Sequence, residues 1–93
     1  MIFRRRLFKH VFNRKDWIKR PEERKYMVAY IERKKLLIGL TKEEVILKLG
    51  DEFNDPNSDL WSYYVGLRPV LGRKIYFFIY FNKEGLVYQT LRD

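Results

Sequence analysis

Ninety-three residues, 46% of them hydrophobic and 17% aromatic, suffice for one small core and leave no room for a second. With no cysteine, disulfides and thiolate metal sites are excluded, so large aromatic side chains must supply much of the buried area. The net charge of +8 is unevenly spread: residues 1–35 hold thirteen Lys/Arg against four Asp/Glu, and the rest holds seven against eight.

In chain order, the first element is a basic arm. Phe3, Leu7, Phe8, Val11 and Phe12 share one half of a helical wheel, with Arg5, Arg6, Lys9 and His10 on the other, which predicts an amphipathic helix over 3–12. The charges of Arg4, Arg5, Arg6, Lys9, Arg14 and Lys15 make this arm the candidate for binding nucleic acid or an anionic membrane. The equally weighted reading is a solvated basic surface. Leu7 to Asn13 is too short and too broken by charge for a signal-peptide core, and no segment reaches the roughly 20 apolar residues of a membrane span. The expected location is therefore cytoplasmic or membrane-peripheral. Residues 1–20 read as arm and connector, with Trp17 in the connector, and 21–93 as a single domain.

Pro21 opens the first main helix, Glu22 and Glu23 suit its start, and Arg33, Lys34 and Lys35 suit its end. Its apolar stripe is Met27, Tyr30 and Ile31, flanked by Tyr26 and Val28. The second main helix is specified almost residue by residue. Thr41 is the N-cap of a capping box closed by Glu44, Leu40 and Val45 occupy the staple positions, and Gly50 sits at the left-handed stop. Its buried face should be Val45, Ile46 and Leu49.

Asp51 to Asp59 is an acidic loop, after which alternation predicts strands over 60–65, 74–81 and 86–91. The last two join through Asn82-Lys83-Glu84-Gly85, with Gly85 at positive φ. The expected fold is α+β: two helices on one face of a three-stranded antiparallel sheet, in the order ααβββ, with the basic arm as an extra helix.

These motifs resemble those of the small ααβββ domain of outer-membrane assembly lipoproteins of the BamE/SmpA/OmlA type, whose fold the β-lactamase inhibitor proteins share. The matching residues are Gly39, Leu40, Thr41, Glu44, Val45, Leu49 and Gly50, then Trp61 and Tyr63, then Phe81, Gly85 and Val87. Phe12, Asn13, Trp17, Arg24, Met27 and Val28 are similar to a stretch of small bacterial relatives of the group. The resemblance implies a fold and a binding scaffold. Asp51 and Glu52 follow Gly50 where the family usually has L-G-x-P, and the lipidated cysteine is missing, so the membrane-assembly role does not carry over.

Chemistry is thinly represented. His10 is the sole histidine, and no nucleophile elbow or phosphate-binding loop is present. Asp55-Pro56-Asn57-Ser58-Asp59 imitates the start of a calcium loop, but Leu60 and Gly66 stand where the turn glycine and the bidentate Glu belong. No catalytic site, metal, cofactor or small-molecule substrate is expected. The functional hint lies in the strand over 74–81, which is apolar on both faces. Ile75, Phe77, Ile79 and Phe81 should face the helices, leaving Tyr76, Phe78 and Tyr80, joined by Tyr64, as a protein-binding or self-association patch. The alternative is that Phe3, Leu7, Phe8 and Val11 of the arm cover that row. An RNA-binding sheet is disfavoured, because the strand lacks the RNP1 glycines and the element order is wrong.

Overall fold

The computed structural model describes residues 11–93. The arm helix expected over 3–12, with Arg4, Arg5, Arg6 and Lys9, falls outside the described residues except for Val11 and Phe12.

Asn13 begins the first element rather than a connector. Its Oδ1 accepts from the Asp16 N–H at 3.0 Å, capping helix α1 (Arg14–Lys19). One turn and a half of helix is too short to hold itself together. Trp17 supplies the missing stability: it is fully buried, and its indole N–H donates to Leu49 O at 3.2 Å. The expected connector is thus a core-bearing helix.

A 3₁₀ turn at Pro21–Glu23 leads into α2 (Arg24–Lys34). Its inward stripe is Arg24, Met27, Val28 and Ile31, with Tyr26 about half exposed and Tyr30 partly buried. The buried arc is thus rotated from the expected one towards Arg24 and Val28. The helix ends at Lys35, a non-glycine residue in the left-handed region, and the Leu36 N–H closes the end by donating to Ile31 O at 3.0 Å.

The second main helix, α3 (Lys42–Leu49), carries the complete capping box. The Thr41 hydroxyl accepts from the Glu44 N–H at 3.2 Å, and the Glu44 carboxylate accepts from the Thr41 N–H at 2.8 Å. Val45 and Leu49 are buried, but Ile46 lies 37% exposed, because the core takes in only the arc through positions 45 and 49. Gly50 has positive φ but extended ψ, not the left-handed pair expected of it, and so turns the chain out towards the acidic loop.

Three antiparallel strands follow, β1 (Leu60–Leu67), β2 (Lys74–Phe81) and β3 (Val87–Arg92), in the spatial order β1-β2-β3. Gly85 takes φ of +79° in the β2–β3 turn, where its N–H donates to Asn82 O. The fold is α+β, with the helices ahead of the strands. Trp61, Tyr63, Phe77, Ile79 and Val87 on the inner face of the sheet pack against Trp17, Ile31, Val45 and Leu49 in one core. Phe12 packs on that core too, its ring 6.1 Å from Trp17, so the chain enters the domain on the helical side.

Candidate protein-interaction surface

Alternation along β2 sends Phe77, Ile79 and Phe81 into the core and Tyr76, Phe78 and Tyr80 to the opposite face. Pairing then fixes their neighbours. Tyr64 lies across from Tyr76, and Phe78 stands between Ser62 on β1 and Leu91 on β3. Directly opposed side chains share a face. The Tyr64 and Tyr76 rings meet edge to face at 6.3 Å, and Tyr76 continues to Phe78 at 6.4 Å. The four expected residues are therefore brought together on the face away from the described helices. Each is partly buried.

A fifth ring meets the end of this row at the β3 edge. The register shifts by one residue between Tyr80 and Phe81, with Gln89 opposite Tyr80 and Val87 opposite Phe81. Tyr88 is the extra residue of this bulge, and its ring comes within 6.3 Å of Tyr80. It is 54% exposed, and Leu91 and Leu60 on the flanking strands are nearly as open. The ring row itself carries no formal charge, and at its far end the Asp93 N–H donates to Tyr76 O at 2.9 Å.

The β1 edge of this face is closed by side chains of the acidic loop. Asn54 accepts from the Ser62 N–H at 3.0 Å and donates to Ser62 O at 3.1 Å, imitating a paired strand. Glu52 accepts from the Tyr64 N–H at 2.9 Å, and Arg24 donates to Tyr64 O at 2.9 Å. An edge occupied in this way resists adding a foreign strand. The clasp has no local sequence signature, because it forms only when the loop folds back along β1 and Arg24 arrives from 40 residues away.

Other candidate groups are engaged elsewhere. The Arg14 guanidinium donates to Leu47 O, and Lys15 is exposed on the helical layer, so neither adjoins the aromatic row. Asp55 accepts from the Asn57 N–H at 2.9 Å within its turn, and Asp59 pairs with Lys42 at 3.6 Å. Among the described residues no cluster of three or more His, Cys, Asp or Glu is placed to hold a metal ion, and no helix is long and apolar enough to cross a membrane. Burial, with the Glu52 carboxylate adding to it, holds the Tyr63 hydroxyl well above the usual tyrosine range. That hydroxyl donates to Gly50 O at 2.6 Å and ties β1 to the end of α3. Compared with known proteins, the chain matches no family model and no curated sequence.

Proposed function

We propose that this chain is a non-catalytic protein-interaction module whose docking surface is the outer face of its sheet. The observation that carries the reading is the uncharged ring row formed by Tyr64, Tyr76, Phe78 and Tyr80 and extended by Tyr88. Tyrosine and phenylalanine offer large contact area at small entropic cost, and the hydroxyls keep the free surface wettable. Of Glu43, Glu44 and Glu52, the obvious carboxylates for acid-base work in the sequence, Glu44 is committed to the α3 cap and Glu52 to Arg24, while Glu43 is exposed on α3. That commitment supports the non-catalytic part of the reading.

The partner we assign to this face is a second copy of the chain. A two-fold axis would let the same face serve both copies, and the ring row at its centre carries no formal charge. The order of helices and strands and the capping box at Thr41 also support the resemblance to the BamE type, as a likeness of scaffold. A cytoplasmic or membrane-peripheral location belongs to the same reading.

Disulfide trapping tests the assignment cleanly because the chain has no cysteine. Gln89→Cys lies on the outer face opposite Tyr80, and Glu43→Cys lies exposed on α3. Rapid oxidation of the first to a covalent dimer, with the second remaining monomeric, is the expected result. Equal trapping of both, or of neither, overturns it.

A further inference from the structure

Between β1 and β2 the chain makes a closed loop, Arg68-Pro69-Val70-Leu71-Gly72-Arg73. The Arg68 N–H donates to Arg73 O at 2.8 Å, and the Gly72 N–H donates to Arg68 O at 2.9 Å. Val70 is 93% exposed and Leu71 69% exposed. Surface loops are normally built from polar and turn-forming residues, so two adjacent aliphatic side chains held clear of the body need a reason.

The surroundings supply one. Arg68, Arg73 and Lys74 are all exposed around the loop. At its base, Lys25, Arg68 and Arg92 line an open cleft of about 510 Å³, together with Tyr26, Ile75 and Asp93. Asp93 is the acidic residue of that lining, against three cations. The Lys25 ammonium is held in place by Leu67 O at 3.1 Å. An apolar tip ringed by long cationic side chains matches the layered chemistry of a bilayer surface, with acyl chains below and phosphates above.

We propose that the β1–β2 hairpin docks the protein on an anionic phospholipid membrane. Val70 and Leu71 enter the boundary between headgroups and acyl chains, and Arg68, Arg73 and Lys74 contact lipid phosphates. The cleft between Lys25 and Arg92 receives a headgroup. A nucleic acid would engage the same cations but gives two aliphatic side chains nothing to bury against, and the tip has no ring for base stacking. The hairpin lies beyond the Tyr64–Tyr76 end of the sheet, and the proposal does not depend on the reading given to the outer face.

The test is vesicle co-sedimentation of the full chain, using phosphatidylcholine alone and phosphatidylcholine mixed with phosphatidylglycerol. Binding to the anionic vesicles alone is expected. It should weaken by about tenfold or more in Val70→Ser/Leu71→Ser through lost apolar burial, and become less salt-dependent in Arg68→Gln/Arg73→Gln. All four side chains are exposed, so thermal unfolding should be unchanged in both variants. A single environment-sensitive probe on Val70→Cys should shift its emission to the blue on anionic vesicles. Failure to bind vesicles at low salt overturns the proposal, as does binding that survives the double Ser change but is lost when Arg4, Arg5 and Arg6 are replaced by Gln. Saturable binding of inorganic phosphate or of a DNA duplex, with no vesicle binding, would reassign the cations to a soluble polyanion.

Discussion

The Arg24 guanidinium sits 2.7 Å from a Glu52 carboxylate oxygen and joins parts of the chain that are distant in sequence. Its Nε donates to Trp17 O at 2.6 Å, its Nη1 also donates to Tyr64 O, and its Cζ lies 4.9 Å from the Trp17 ring centre. Through this one side chain α1, α2, the acidic loop and β1 are tied together. Glu52 reaches it from a left-handed backbone conformation, φ +47°, followed by Phe53 at +60°. Arg24 is only 4% exposed, so its charge is tolerable only while those partners remain.

Removing that hub leaves the Glu52 carboxylate without its cation and two backbone carbonyls without their donor. Arg24→Ala should therefore cost on the order of 3 kcal/mol. Glu52→Gln keeps the loop's shape but takes away the counter-charge of the buried guanidinium, and should also destabilise clearly. Denaturant unfolding of the two variants checks this, and a neutral Glu52→Gln would show that Arg24 acts through packing and its carbonyl bonds alone.

The α3 capping box gives a smaller and more local effect. Thr41→Ala should lower stability by about 1 kcal/mol. The same residue forms a bridge with Leu86 ahead of β3, but through its backbone, so the substitution spares that contact. A neutral result in thermal unfolding would mean that the cap contributes nothing.

Tyr63 gives the chain an alkaline weakness with a definite sign. In the unfolded chain its hydroxyl ionises near the ordinary value of 10.0, whereas in the fold burial keeps it protonated well beyond that. Above about pH 10 the folded state therefore holds the extra proton, and stability falls as pH rises. Tyr63→Phe should start less stable, having lost the bond to Gly50 O, and should show a shallower fall above pH 10. Parallel denaturation curves at pH 8 and pH 10.5 measure both effects.

What was legible in the sequence was local. The capping box needs only Thr41 and Glu44, and the period-two alternation of β2 needs only its own eight residues, so both appear without tertiary information. The row Tyr64, Tyr76, Phe78, Tyr80 followed from that alternation. Tyr88 did not, because β3 shifts register there, with Val87 facing the core and Gln89 and Leu91 the outer side, so no single alternation fits the whole strand. Helix α1 was missed because six residues have little helical preference of their own and depend on Trp17 reaching Leu49. Arg24 was one of twenty basic residues, and nothing in its sequence neighbourhood marks it as buried.

The outer sheet face as a docking surface is tested most directly by sedimentation velocity on the full chain over a wide concentration range, beside Phe78→Ser. Phe78 stands mid-row between Ser62 and Leu91, with its ring 6.4 Å from Tyr76, and lies outside the core cluster, so the variant should remain folded. The account predicts a concentration-dependent dimer in the parent chain and a monomer in Phe78→Ser, with both giving cooperative unfolding. A parent chain that stays monomeric at every concentration, or a dimer untouched by Phe78→Ser, would contradict it.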